Sequence, residues 1–501
     1  MTRWTNLGDL ADPSLDQGRP AIIDLRLAAA PRVFSHGEID GMARGVARRL
    51  TAMGLPPGAP VAILAQNRAE YVAAYFGIMR AGFVAVPVNT KLAQDTLDYI
   101  MDDAGIRLAF VDAERRAMVR PGIPVIGFDD EGPEGFAAQC PPGPFETVAT
   151  TPETIGQMLY TSGSTGRPKG VPLTHAGQIW ALESRVGGAE ERGMISQPLF
   201  HMNGLFTAKG VFTANASVVM LPGFEARAYT RALADYKVTA VMAVPTMFAR
   251  VIKEADLIES LDFSALKRLV LGSAPMTMAL LERIQAAFPN ATISNGYGTT
   301  EAGPGVFGPH PDGIPTPPLA LGFPVPGAEV QLVDGSGPDD GVLLMRTPAC
   351  MPRYNNLPAK TAEVLKDGWY YSGDVMRRDE NGFYYFVGRA DDMFVTSGEN
   401  IYPGEVEKLL EKHPAIQAAA VVPLPDEERS HVPVAFVVPR PGSTLSVAEV
   451  KQHALAGGPA YQHPRRVEFL AELPWAGTNK VDRRALIDRA RANEASGGWP
   501  A

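Results

Sequence analysis

Cysteine is nearly missing from this chain: its 501 residues include two, Cys140 and Cys350. Two thiols so widely separated give no metal-ligand spacing and no disulfide framework. A long hydrophobic run is missing as well. The most apolar stretch, near residues 73–88, is broken by Arg80 and Pro87, so no segment reads as a membrane span. The N-terminus, Met1-Thr2-Arg3-Trp4-Thr5-Asn6, lacks the apolar core of a secretory signal. Together these absences predict a soluble cytoplasmic protein. There is also no excess of positive charge. The net charge of −9 argues against a nucleic-acid partner, whose footprint is a basic surface, although a local basic site can hide in such a total. No G-x-S-x-G occurs, which removes the nucleophile elbow of a serine hydrolase. What remains is ordinary globular composition, 46% hydrophobic and 20% charged, in a chain too long for one core.

Along the chain, short apolar runs alternate with helix-like segments. Val61–Leu64, Val84–Val86, Leu108–Val111 and Val241–Val244 have strand length, and Arg68–Arg80 and Met276–Phe288 read as helices. This alternation predicts parallel or mixed sheets covered by helices. A region rich in proline and glycine, Pro309–Pro326, precedes short strands near Val330–Val333 and Val342–Met345. No repeat or low-complexity segment is found, and the tail from Ala492 to Ala501 is expected to fray.

One stretch carries chemistry. Ile155 to Tyr160 reads as a strand, and it ends in Thr161-Ser162-Gly163-Ser164-Thr165-Gly166-Arg167-Pro168-Lys169-Gly170. Glycine lets backbone N–H groups turn inward around an anion, hydroxyls add donors, and Lys169 brings a compact positive charge. That is a way to hold a polyphosphate. It is not the P-loop, where Gly-Lys-Ser/Thr leads into a helix, because Gly170-Val171-Pro172 disfavours one. Small residues alone would make a surface loop equally well. The preceding strand and the lysine favour the phosphate site.

Three later clusters are weaker alone. In Gly296-Tyr297-Gly298-Thr299-Thr300-Glu301, glycines admit a ligand to the backbone, the tyrosine offers a flat face, and the carboxylate suits Mg²⁺; a plain turn has the same composition. Asp374, in Trp369-Tyr370-Tyr371-Ser372-Gly373-Asp374, is a turn residue or a partner for hydroxyls. Arg389-Ala390-Asp391-Asp392 is a solvated linker or a site, and Lys480 near the C-terminus would by default be solvent-exposed.

Taken in this order, from about Pro60 to the C-terminus, these segments resemble the adenylate-forming superfamily of acyl-CoA synthetases, aryl-CoA ligases, luciferases and peptide-synthetase adenylation domains. The resemblance implies an α/β fold. A large multi-subdomain N-terminal domain with mixed sheets covered by helices (residues 1–389) would precede a small mobile α+β C-terminal domain (390–501). It implies that Thr161, Ser162, Gly163, Ser164, Thr165, Gly166 and Lys169 hold the ATP phosphates. Gly272, Ser273, Ala274 and Pro275 would cover one face of adenine, and Asn295, Gly296, Tyr297, Gly298 and Thr299 the other, with Tyr297 stacking. Thr300 would contact the α-phosphate, Glu301 hold Mg²⁺, Asp374 take the ribose hydroxyls and Arg389 touch ribose or phosphate. Asp391 would be the hinge and Gly398 would border the channel for coenzyme A (CoA). The acyl pocket would include His201, Met202, Asn203 and Gly303; taken alone, His201 could equally be a satisfied core histidine.

Lys480 would bridge the substrate carboxylate and the α-phosphate. Asn479 stands where glycine is the commoner family residue, as in some aryl-CoA ligases. Gln462 follows Tyr461 where a lysine is usual, leaving Arg465 and Arg466 as substitutes for holding CoA phosphates.

The activity so implied has two steps. A small carboxylic acid attacks ATP to give an acyl-adenylate and pyrophosphate, and a CoA thiolate then displaces AMP. No Arg or Lys lies between Pro198 and Ala208, which weighs against a dicarboxylate, and Ala302-Gly303-Pro304-Gly305 leaves room for a ring. An aromatic or short-to-medium monocarboxylate is expected. Transfer to an amine or a carrier protein is the alternative. A catalytically dead nucleotide-binding regulator is disfavoured by the joint presence of Lys169, Glu301, Asp374, Arg389 and Lys480. Oligomeric state stays open, homo-oligomers included.

Overall fold

The alternating runs form sheets, as their pattern requires. The computed structural model describes residues 3–27, 30–161, 167–184, 187–274, 276–396, 399–426, 429–476 and 480–499; for Asn400, Ser430, Ala476 and Lys480 it describes the backbone only. α1 (His36–Ala52) opens on a capping box in which Ser35 and Glu38 satisfy each other's backbone N–H. β1 (Pro60–Leu64), α2 (Ala69–Arg80), β2 (Val84–Pro87), β3 (Leu108–Val111) and β4 (Val125–Gly127) follow. With β5 (Ile155–Thr161) and β6 (Lys169–Thr174) the strands make a six-stranded sheet in the order β4-β3-β1-β2-β5-β6. All neighbours are parallel except β5 and β6.

The apolar stretch around α2 is a core helix, buried almost all round. Its one awkward residue, Arg80, is 3% exposed and is neutralised by Asp9 at 2.8 Å and Asp40 at 2.6 Å. Among the described residues no helix is long and apolar enough to cross a membrane. Both cysteines are free. Cys140 is buried, which pushes its thiol up to about 12, and Cys350 is half-buried.

A second layer follows α3 (Met202–Thr213). β7 (Ala240–Ala243), β8 (Arg268–Gly272) and β9 (Thr292–Gly296) form a parallel sheet, next to a four-stranded one built from 20–24, 32–35, 192–195 and 217–220. Alternation divides the faces of β7 and β8. Val241, Ala243, Leu269 and Leu271 enter a core with Phe248 and Phe288, while Met242, Arg268 and Val270 face a cleft. The third sheet is antiparallel: β10 (Glu329–Val333), β11 (Asp340–Arg346), β12 (Leu365–Lys366), β13 (Trp369–Arg378) and β14 (Tyr384–Arg389).

That sheet ends at Arg389, and the next begins with β15 (Phe394–Thr396) and β16 (Glu399–Ile401). After α4 (Pro403–Leu410) come β17 (Ile416–Asp426), β18 (Ser430–Pro439) and β19 (Arg466–Phe469), in the order β16-β15-β18-β17 with β19 parallel to β18. A two-stranded hairpin, β20 (Trp475–Ala476) with β21 (Lys480–Val481), leads into α5 (Arg483–Ser496). The architecture is therefore the mixed α/β fold with a large N-terminal and a small C-terminal part. One expectation fails. Residues 492–496 do not fray but finish α5, because Asp482 caps its start, Leu486 and Ala490 are buried on it, and Gly497 at φ +65° closes it.

Candidate active site

β5 and β6 form a hairpin whose register sets Thr161 directly opposite Lys169. Both side chains reach the same cleft, whose volume is about 2890 Å³. Ser162, Gly163, Ser164, Thr165 and Gly166 lie outside the described residues, as do Pro275 and Gly398. The Thr161 hydroxyl is buried and has no hydrogen-bond partner among the described residues. A buried orphan of this kind marks a place where an external acceptor belongs. Lys169 lies 4.7 Å from the centre of the Tyr354 ring. Burial pulls its ammonium below the ordinary lysine value, against the raising effect of Glu301.

Glu301 is 9% exposed and accepts a hydrogen bond from the Tyr354 hydroxyl at 2.9 Å. Its backbone carbonyl takes the N–H of Met351 at 2.7 Å. The loop before it is tightly closed: Thr299 and Gly303 exchange backbone hydrogen bonds at 3.0 Å, and Thr299 Oγ1 accepts from Ala302 N–H at 3.0 Å. A Cβ on Gly298 would stand 2.4 Å from the Gly303 carbonyl oxygen, so only glycine permits this closure. Thr300 and Glu301 line the cleft, whereas Gly303 does not and instead braces the turn against Ala349.

The ends of β8 and β9 meet at Gly272 and Gly296, which are register partners. A Cβ on Gly272 would come within 2.4 Å of the Gly296 carbonyl. The two strands thus end without side chains, leaving a bare rim beside Tyr297. Ser273 and Ala274 line it, and Asn295 reaches back to the Leu319 carbonyl at 3.0 Å. Asn203, on the first turn of α3, donates to Ser273 Oγ at 3.0 Å and so joins the expected acyl pocket to this rim. His201 precedes the first turn of α3 with its ring against Phe200, and Met202 is buried beside it; all three residues at 201–203 line the cleft.

Asp374 and Arg389 face each other across β13 and β14. Asp374 Oδ1 takes Arg389 Nη1 at 2.8 Å, and Oδ2 takes the Tyr297 hydroxyl at 2.5 Å. Burial and then the Asp374 charge push the Tyr297 phenol well above its ordinary value. Arg389 also binds Asp391 through Nε at 2.9 Å. The run from Arg389 to Asp392 thus lines the cleft while its charged side chains stay partly open to solvent.

Lys480 is placed by backbone alone: it pairs with Ala476, and its neighbours Val481 and Trp475 line the cleft. Tyr354 and Arg483 are functional neighbours that sequence reading missed. Tyr354 sits in Arg353-Tyr354-Asn355, which carries no pattern, and only the fold brings it to Glu301, 53 positions away.

Comparison with known proteins places the whole chain in one family. The family model described as AMP-binding enzyme matches residues 14–355, and that of the AMP-binding enzyme C-terminal domain matches 405–480. The chain is 34% identical to the fatty acid–[acyl-carrier-protein] ligase ScoC of Streptomyces coeruleorubidus, over 91% of this chain and 92% of that one. It is 32% identical to a feruloyl-CoA synthase of Amycolatopsis sp, over 89% and 92%. The crystal structure of the anthranilate CoA ligase AuaEII with anthranoyl-AMP superposes with a TM-score of 0.89 at 27% identity, covering 99% of each chain.

Proposed function

This chain belongs to the family of AMP-binding enzymes and is an AMP-forming acid–thiol ligase, and on that premise we propose that it is an acyl-CoA synthetase acting on an aromatic or short-to-medium monocarboxylate. One observation carries the reading: Thr161, Lys169, Glu301, Asp374 and Arg389 line the same cleft as the hairpin that bears Lys480.

The chemistry asks two anions, a carboxylate and a triphosphate, to meet, and the cleft supplies cations at both ends of that encounter. Lys169 and the Thr161 hydroxyl, which has no partner among the described residues, would meet the β- and γ-phosphates. Thr300, which lines the cleft, would contact the α-phosphate, and Lys480, borne on the hairpin beside the cleft, would orient the attacking carboxylate. Tyr297 and the bare rim at Gly272 and Gly296 sandwich adenine, and Asp374 exchanges its tyrosine and arginine partners for ribose hydroxyls.

Among the described residues no three His, Cys, Asp or Glu side chains cluster into a metal cage. One buried carboxylate beside a phosphate site nevertheless suits Mg²⁺, which keeps waters and substrate phosphates as its other ligands, so Glu301 would hold it. When bound, that ion neutralises charge on the phosphates.

The monocarboxylate reading draws support from Arg268, a cation that the fold adds to the cleft, because Glu191 already pairs it at 2.6 Å. The division into residues 1–389 and 390–501, with Asp391 as hinge, is supported by the change of sheet between Arg389 and Phe394. A cytoplasmic location fits the CoA and ATP demand. A second reading, transfer to a carrier-protein thiol, is favoured by the 34% identity to ScoC.

Pyrophosphate release from ATP over a panel of aliphatic, aromatic and dicarboxylic acids, with and without CoA, tests the proposal. CoA-dependent turnover on monocarboxylates is expected. Adenylate that forms but is not discharged by CoA would move the assignment to a carrier protein or an amine, and turnover only on dicarboxylates would overturn the substrate class.

A further inference from the structure

Arg483, the first residue of α5, follows Lys480 with only Val481 and Asp482 between them. Its guanidinium forks onto Glu407 of α4, with Nη1 2.6 Å from Oε1 and Nη2 3.0 Å from Oε2. Nη1 also donates to the Val421 carbonyl on β17 at 2.8 Å, and Nε stands 3.8 Å from Asp392 Oδ2. Glu407 is itself fixed by accepting the Val421 N–H at 2.7 Å. Four pieces of the C-terminal part therefore meet at one planar cation: α4, β17, the start of α5, and the turn beside Asp391. A bidentate fork sets orientation as well as charge, which a lysine cannot do.

The connection from this cation to Lys480 has no slack. Asp482 donates its N–H to the Pro474 carbonyl at 2.9 Å, and its carboxylate caps Ala485 N–H at 3.0 Å. Lys480 itself is paired with Ala476 across the hairpin. Three residues of extended chain span at most about 10 Å, so displacing Arg483 displaces the lysine's backbone.

We propose that Arg483 is a positioning residue for Lys480, clamping the strand that carries the lysine to α4 and to the turn at Asp392. As the small domain turns at that point, the clamp makes the lysine travel with it as one rigid piece. The inference rests on the reading of Lys480 as the lysine of the first half-reaction.

The test uses the full chain with five variants: Arg483→Lys, Arg483→Ala, Glu407→Gln, Lys480→Ala and the double variant that combines Arg483→Ala with Lys480→Ala. Adenylation is followed by acid-dependent pyrophosphate release, and the second half-reaction by CoA discharge of a supplied acyl-adenylate. Arg483→Lys and Glu407→Gln are expected to lower kcat for adenylation by about tenfold or more while KM for ATP stays within about twofold, since small misplacements cost rate without binding. Discharge of the supplied adenylate should be unchanged, which also shows that the variants are folded. Arg483→Ala placed on Lys480→Ala should add no further loss.

Wild-type adenylation in both Arg483→Lys and Arg483→Ala, equal loss in both half-reactions, or an additive loss in the double variant would overturn the clamp. Wild-type adenylation in Lys480→Ala would instead overturn the lysine reading, and the clamp with it. Should CoA not discharge the adenylate even in the wild type, the acceptor reading fails while the adenylation and double-variant arms still decide the clamp.

Discussion

Glu301 is held by one phenol. Tyr354 donates to Oε1 at 2.9 Å while its ring lies against Lys169, so a single side chain contacts both the anion and the cation that the proposal assigns to the phosphates. Tyr354→Phe keeps the ring and removes the donor. A hydrogen bond to a charged group is worth about 1.5–3 kcal/mol, so adenylation is expected to fall about tenfold or more, with a raised Mg²⁺ requirement. Pyrophosphate release titrated against Mg²⁺ checks this; an unchanged Mg²⁺ dependence would mean that the phenol does not set the carboxylate. Lys169 stood out in the sequence through its preceding strand and its run of small residues, whereas Glu301 was read only through the family resemblance, since a plain turn has the same composition. Tyr354 and Arg483 were not. Their meaning lies in partners 53 and 76 positions away, and no local pattern encodes such a meeting.

Among the elements, the pattern of small and apolar residues served best where a strand is buried on both faces. β5, the α2 core helix and the strands β1, β2 and β3 of the first sheet follow the apolar runs within a residue or two, whereas β4 and β6 were not anticipated. Helix ends were harder. The segment expected as Met276–Phe288 is helical from Met278 to Ala287, since Thr277 caps it by accepting Leu280 N–H. α5 was not anticipated at all, because only Leu486 and Ala490 enter the core, too few to mark a period. The turn between β14 and β15 is where an element-level test belongs. Proline fixes φ near −65°, so Asp391→Pro should freeze the turn. We expect normal adenylation and a blocked second half-reaction, measured by CoA discharge of a supplied acyl-adenylate; an unaffected discharge rate would argue against a hinge at Asp391.

For the molecule as a whole, one buried charge bears on stability. Lys209, on α3, is fully buried and donates to Gln178 Oε1 at 2.8 Å; burial brings its pKa from 10.5 down to about 7. Between those two values the unfolded chain holds a proton that the folded chain has released, so this residue makes stability rise with pH across the window. Below about 7 the folded protein carries the buried ammonium and the full penalty applies. Lys209→Met is therefore expected to raise the thermal midpoint more near neutral pH than near pH 10, read by calorimetry at the two conditions. An equal shift at both would mean that the amine is already neutral or already charged throughout.

The scarcity of thiols acquires a use at this scale. Cys140 sits in the core of the large domain, and Cys350 sits in the loop whose next residue, Met351, donates its N–H to the Glu301 carbonyl. With no third sulfhydryl to compete, an alkylating reagent marks global unfolding at one position and local breathing behind the proposed phosphate site at the other. A single mass spectrum of the labelled chain then times both events on one clock.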